Sequence, residues 1–381
     1  MKVAIILGND LLKPAKDIRA YREALAITKA GYEVTVFCWS RGLEKYETTW
    51  KETDGNIQII RVFEDVEKGF FGESRSTKKA MKQIRAKVEE YNPKIIHTHD
   101  LNTLETSITI KKKTKSKIIF DCREHLPAKK KLEGWISGKY YNYKQTSLLK
   151  NVDAILATSD ELGQMLGESV TIFESEPLEL VKKSVNTDRF GLDGMVAGYI
   201  GAAEKSNVEE LLEIVSKIGG LSLLVIGGPP KGQKDYNEMI SELEDMAIEK
   251  GANAKFTGPL PHSMMGECFA ACDIVIVGHY VDRSLRDFDV PKTLLDAMAY
   301  KVPVVAGPYK ARKRIIERYK CGIVSEDWVK SLNDLSQNKN LREEMGGCGF
   351  KAFKMNYAWE LQEDKLLEVY RELLNEEGEV Q

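Results

Sequence analysis

Short, almost wholly apolar runs recur along the whole chain, and each is followed by a stretch with helical periodicity. KVAIIL, YEVTVFCW, NIQIIRVF, KIIHTHD, SKIIFD, DAILATS and VTIFE mark the first half. VAGYIGA, LSLLVIGG, AKFTG, DIVIVG, VPVVAG and CGIVS mark the second. Strands that are apolar throughout are covered on both faces, as in a parallel sheet between helical layers. A chain of 381 residues has room for two such sheets, so the expected class is α/β with two domains. LELVKKSVNTDRFGLDGM is polar and aperiodic and places the boundary near Asn186 to Gly194. Residues 1–188 then form the first domain, 189–357 the second, and 358–381 a closing helix. Ligands of such sheets bind at the carboxyl ends of the strands, so the expected site is a cleft between the domains.

A formal net charge of −2 gives no global case for nucleic acid. The opening MKVAIILGND is too short an apolar run for a signal peptide, and no later segment is long enough to cross a bilayer. A cytoplasmic location is expected, extending to the inner face of the membrane. The six cysteines are read as reduced thiols: Cys268 and Cys272 lie one helical turn apart, without histidine or further cysteine at zinc-like spacing. His97 and His99, in HTHD, are expected on opposite faces of a strand end, with one facing the cleft. GNDLLK after the first strand lacks the glycine fingerprint of a dinucleotide oxidoreductase.

The stretch DVPKTLLDAMAYKVPVVAG sets an acid, Asp296, among core-like residues. Proline suits the first helical position, so Val290 is expected to cap a helix starting at Pro291. Lys292, Thr293 and Leu294 then carry free backbone N–H groups, an anion site at the positive end of the helix dipole. Asp296 shares a face with Lys292 and Thr293 one turn deeper, the spacing of a diphosphate and its ribose. The alternative is that Asp296 pairs with Lys292 on a solvated face.

The order of these features resembles the retaining glycosyltransferases of family 4. The resemblance is carried by KDIRAYREALAITKAGYEVTVFCW, KIIHTHDLNTL, IIFDCREHLPA, NVDAILATSDEL, TGPLPHSMMGECFAACDIVIV, LLDAMAYKVPVVAG and NYAWELQEDKLLEVYREL, covering nearly the whole chain. It implies the GT-B fold: two Rossmann-like domains with parallel sheets, and a C-terminal helix crossing back to the N-terminal domain. It also implies transfer of a hexosyl group from a nucleoside diphosphate sugar to an alcohol, with retention, in glycan, glycolipid or cell-surface polysaccharide synthesis. The nucleotide sugar is a co-substrate; no cofactor or metal is expected.

On the donor side the resemblance assigns Gly201 and Ala202 to the diphosphate, with Lys205 as the cation, and Lys292, Thr293, Leu294 and Asp296 to the helix site. The family's arginine near Ala202 and Ala203 has no counterpart, leaving Lys292 or Arg286 to contribute. The family's first acid falls at Phe288, so Asp287 or Asp289 serves after a one-residue shift, and Asp289, beside the helix start, is favoured for the sugar contact. Asp287-Phe288-Asp289 also spells a metal-binding acid pair used by other glycosyltransferases, here far from its usual place. His262 is read as a loop or capping residue.

On the acceptor side the resemblance selects His99 as the residue beside the transferred sugar and leaves His97 in the core. Asp17 and Arg19 lie in the matching first helix, and Asp100 and Glu124 would orient the acceptor, a glycan, lipid-linked or small alcohol. Arg123 stands where relatives often have histidine. PAKKKLEGWISGKYYNYKQ combines lysines with Trp135, Tyr140, Tyr141 and Tyr143, a pattern for peripheral contact with an anionic membrane or for an acidic acceptor, the alternative being aromatics in the core. Phe70 and Phe71 are read as covering an acceptor loop. The displaced acid, the missing arginine and Arg123 also fit a GT-B relative without turnover, acting as a binding or partner subunit. A nucleotide-sugar epimerase shares the fold, but nothing separate in the sequence points to it.

Overall fold

Double-sided burial explains why the apolar runs become strands. In β1 (Lys2–Leu7) and β2 (Glu33–Ser40) every residue after the first is buried. The computed structural model describes residues 1–13, 16–41, 49–67, 72–167, 170–174, 190–192, 194–228, 236–278, 287–288 and 290–375. Asp289, Arg286, Phe70, Phe71 and most of the Asn186–Gly194 stretch lie outside the described residues. The chain divides into Met1–Glu174 with Glu360–Gln381, and Ser175–Trp359.

The first unit carries β1, β2, β3 (Thr49–Asp54), β4 (Ile57–Phe63), β5 (Ile95–His99), β6 (Lys117–Cys122), β7 (Ala154–Ala157) and β8 (Val170–Ile172). Their order is β3-β4-β2-β1-β5-β6-β7-β8, parallel except that β3 runs antiparallel to β4 at the edge. β3 has no counterpart among the apolar runs: its sequence, TWKETD, is polar, as an edge strand with one uncovered side permits. Helices α1 (Ile18–Lys29), α2 (Gly72–Tyr91), α3 (Asp100–Thr114), α4 (Leu126–Glu133), α5 (Trp135–Leu149) and α6 (Asp160–Leu166) connect the strands. Register sets Ile5 opposite Val36 and His97, and His99 opposite Asp121.

The second unit has β9 (Met195–Ile200), β10 (Leu221–Ile226), β11 (Ala254–Phe256), β12 (Ile274–Val277), β13 (Val304–Ala306) and β14 (Gly322–Val324). They are parallel throughout, in the order β11-β10-β9-β12-β13-β14. One face is covered by α7 (Lys205–Ser216), α8 (Tyr236–Glu249) and α12 (Trp328–Gln337), through Leu211, Leu243 and Leu332. The other is covered by α9 (Met265–Ala270), α10 (Lys292–Ala299), α11 (Lys310–Tyr319) and α13 (Lys339–Asn356), through Phe269, Leu294, Ile315 and Phe353.

The last helix, α14 (Trp359–Asn375), belongs from Glu360 onward to the first unit. Gln362 accepts the Glu174 N–H at 3.2 Å, Lys365 donates to the Ile172 carbonyl at 3.2 Å, and Tyr370 packs on Tyr32 with centroids 5.6 Å apart.

Candidate functional site

In the first unit, the ends of β5 and β6 and the start of α1 meet at one place. Asp17 caps α1 by accepting the Ala20 N–H at 3.2 Å. β5 turns into α3 through Asp100, held at φ 65°, a left-handed conformation that costs a non-glycine residue energy. Arg123, just past β6, donates to Asp17 and to Asp100, both at 2.7 Å. This arch reaches solvent, with Arg123 23% and Asp100 30% exposed. Burial alone raises the Asp17 carboxyl, but the charges of Arg123 and His99 more than offset it and hold it below the usual range. Glu124 stands beside the arch and pairs with Lys129 at 3.1 Å.

Beneath the arch lies a closed ionic layer. Arg19 grips Asp121 with two hydrogen bonds of 2.8 Å, from Nε and one Nη, and its Nε lies 3.1 Å from Glu23. Nε2 of His99 lies 3.1 Å from Glu23 and Nδ1 lies 3.3 Å from Asp121. His97 stacks on His99 with centroids 4.9 Å apart, sends Nδ1 to the Tyr370 hydroxyl at 3.1 Å and turns Nε2 to Glu23 at 4.0 Å. The expectation that the two imidazoles face opposite ways is therefore corrected: residues i and i+2 of a strand share a face, so both point into this layer. Neither ring is exposed.

Burial, then the Asp121 charge, pushes the Glu23 carboxyl up to about 8. Burial pulls both imidazoles down to about 4. For Asp121 burial acts upward, but the Arg19 guanidinium overcomes it and holds the carboxyl at about 2. Glu23 is thus a neutral acid that can donate to His99 Nε2, while His99 Nδ1–H faces Asp121.

Glu23, His97, His99 and Asp121 place potential ligand atoms within 4.8 Å of one another, the geometry a cation could use. Two carboxylates against the one guanidinium leave a single negative charge. One proton neutralises it, whereas a divalent ion would leave a buried positive charge, so the charges suit a shared proton better.

In the second unit the helix opening differs from expectation. Pro291 itself is the N-cap, with φ −61° and ψ 135°, and α10 starts at Lys292. Proline's fixed φ is compatible with this cap, which needs an extended ψ. Leu294 N–H bonds the Pro291 carbonyl at 2.9 Å and so is not free. The N–H groups of Lys292 and Thr293 have no intrahelical acceptor. Asp296 is only 3% exposed rather than on a solvated face, and the Lys292 ammonium lies 2.9 Å from its carboxylate.

Gly201 ends β9 at φ 151°, and a Cβ there would meet open space. Ala202 is exposed, and its carbonyl accepts from the Tyr199 hydroxyl at 3.0 Å. Gly227 is different: a Cβ would run into the Gly201 carbonyl. Lys205 opens α7 but is paired with Glu242 of α8. Asp287 accepts the Lys310 N–H at 3.3 Å, at the start of α11.

Sequence reading missed Glu23 and Asp121. Ala20, Glu23, Ala24 and Ile27 recur at the i, i+3, i+4, i+7 spacing of a buried helix face, which is the signal that would have found Glu23. It also missed Arg61, fully buried, whose Nε donates to Asp10 at 2.7 Å and which alternates with Ile57 and Ile59 on one face of β4. On α5, Trp135, Tyr140 and Tyr143 are 63%, 58% and 76% exposed rather than in the core.

Residues 18–189 match the family described as Glycosyltransferase Family 4, and residues 194–338 that described as Glycosyl transferases group 1. No curated protein matches the chain by sequence. Among solved structures, sucrose-phosphate synthase from Thermosynechococcus elongatus has a TM-score of 0.77 at 16% identity, covering 98% of this chain and 99% of that one. Anabaena Alr3699/HepE in complex with UDP gives 0.70 at 13%, covering 98% and 100%. An E. coli structure described as "Trehalose-6-phosphate" bound with UDP-2-fluoro glucose gives 0.73 at 12%, covering 96% and 98%.

Proposed function

We infer the activity from the premise that the chain belongs to the glycosyltransferases of the GT-B fold, with a family 4 domain followed by a group 1 domain. It moves a hexosyl group from a nucleoside diphosphate sugar to an alcohol acceptor, with retention. A uridine nucleotide is the first choice of donor, because two structural neighbours hold UDP or a UDP sugar.

The observation that carries the donor reading is α10: two N–H groups at its start, with a buried carboxylate one turn on. The amides of Lys292 and Thr293, with the Lys292 ammonium, take the diphosphate. Asp296 takes the ribose hydroxyls, and Gly201 and Ala202 leave room for the phosphates. Asp289 is assigned the sugar contact on the family resemblance alone. The C1–phosphate bond breaks as the acceptor oxygen bonds C1 on the same face, and the departing phosphate oxygen accepts the acceptor's proton. The protein's part is positioning and charge stabilisation.

The acceptor falls to the first domain, where Asp17, Asp100 and Arg123 reach solvent and Glu124 flanks them. Arg19 and His99 belong to the buried layer, both against Asp121 and Glu23. Nothing in this reading needs a metal. Among the described residues no helix is long and apolar enough to cross a membrane. A cytoplasmic enzyme touching the membrane peripherally is supported by the exposed Trp135, Ile136, Tyr140 and Tyr143, with Lys139 4.0 Å over the Trp135 ring.

Thermal unfolding with a panel of nucleotide sugars tests the donor site. A UDP sugar is expected to raise the midpoint and Asp296→Ala to abolish the rise; no response to any nucleotide sinks the reading. A second reading, binding without turnover, is favoured by one observation: Lys205 is already committed to Glu242. Release of free sugar from the stabilising donor separates the two.

A further inference from the structure

We propose that the groove walled by α2, α3, α4 and α5 binds a saccharide chain carrying repeated negative charge, as part of the acceptor. The proposal rests on the reading that the first domain receives the acceptor. The groove encloses about 820 Å³, within the roughly 300–1,000 Å³ of ordinary ligand sites. It lies wholly within the first unit.

Its lining carries seven cationic side chains against three carboxylates, in a chain whose net charge is −2. Each carboxylate is already matched: Glu73 by Arg41 at 3.2 Å, Glu124 by Lys129 at 3.1 Å and Glu105 by Lys144 at 2.6 Å. Three of the remaining four cations lie on α2, and the fourth, Lys130, is on α4. Lys78, Lys82 and Arg85 follow one another at i, i+4 and i+7 and so rise along one helix face, with neighbouring Cβ atoms about 5–6 Å apart. Arg85 has Glu89 at 2.6 Å, but no carboxylate pairs with Lys78 or Lys82 among the described residues. Cations at regular intervals suit a chain with repeating charge better than a single phosphate.

The rest of the lining suits sugar. Thr77, Asn102, Thr106 and Thr109 offer hydroxyl and amide groups, and Tyr141 offers a ring. The groove ends beside the arch, since Asn102 follows Asp100 by two residues and Glu124 adjoins Arg123. A bilayer is the less suitable occupant: the site is concave, and the exposed apolar residues of α5, Trp135, Ile136, Tyr140 and Tyr143, are outside its lining.

Calorimetric titration of the full chain with a galacturonic acid hexamer, and with its methyl-esterified form, tests the proposal. The charged hexamer is expected to bind at least ten-fold more tightly. The double variant K78E/K82E is expected to lose that preference, while the control K217E/K330E, on the second domain, keeps it within about two-fold. Equal binding of the two hexamers, equal loss in both variants, or binding to phosphatidylglycerol vesicles in place of the hexamer would overturn it. UDP-glucose stabilisation, followed in the same proteins, is expected to survive K78E/K82E; its absence in the unaltered chain would count against the donor reading and leave the hexamer comparison valid.

Discussion

Glu23 Oε2 lies 3.1 Å from His99 Nε2, with both side chains fully buried and Asp121 on the other ring nitrogen. Glu23, His99 and Asp121 thus form a buried relay of close contacts anchored by Arg19, in which neither ring nitrogen of His99 makes a hydrogen bond as the side chains are placed. The solvent-facing arch of Asp17, Arg123 and Asp100 rests on that relay.

The relay makes stability depend on pH in a defined way. Glu23, raised to about 8 in the folded chain, stabilises below its ordinary value near 4.5 and loses this contribution as pH rises toward 8. His97 and His99, lowered to about 4 from 6.5, act oppositely: stability rises with pH between these values. Together they place a stability maximum near pH 6.5, followed by a fall of up to about 1.4 kcal/mol per pH unit. Urea unfolding from pH 5 to 9 should show the fall in the unaltered chain and its loss in Glu23→Gln.

Removing Asp121 takes both 2.8 Å carboxylate contacts from the Arg19 guanidinium, which is only 5% exposed and keeps the Phe173 and Glu174 carbonyls. Asp121→Ala should cost roughly 3–5 kcal/mol, as when one partner of a buried pair is deleted. Asp121→Asn, which still accepts a hydrogen bond, should cost less. Denaturant midpoints of the two variants measure the difference; equal costs would contradict the bidentate role.

Two glycines at the end of the second sheet should respond differently to a methyl group. Gly201→Ala meets open space and strains only the backbone, whereas Gly227→Ala also collides with a carbonyl oxygen. Gly227→Ala should therefore be the more destabilising by about 1–3 kcal/mol. Thermal unfolding of the pair provides the test.

Tyr370→Phe deletes the hydroxyl 3.1 Å from His97 Nδ1 while keeping the ring on Tyr32. The expected cost is about 1–3 kcal/mol, the range for leaving a buried polar atom without its partner. A loss much smaller than this in equilibrium unfolding would show that His97 finds another partner.

The sheets were legible because their strands are buried on both faces and so read as uninterrupted apolar runs, from KVAIIL to CGIVS. TWKETD escaped because an edge strand needs little apolar character. The start of α10 was legible to within one residue: proline and extended geometry were both read, but the cap is Pro291 rather than Val290 and the Leu294 N–H is bonded rather than free. The buried charges were harder. Glu23 and Arg61 look like surface residues until the helix or strand period is followed through them, and Asp121 becomes meaningful only when β5 and β6 pair and set it opposite His99. Such partners are far apart in sequence, so local pattern is silent about them.

Because Tyr370 and Gln362 come from the last helix, the half of the chain translated first is completed last. While the ribosome is still producing the second domain, His97 and the Glu174 amide wait without the groups that will satisfy them. The nascent first domain would thus lack these two internal partners until α14 has been made.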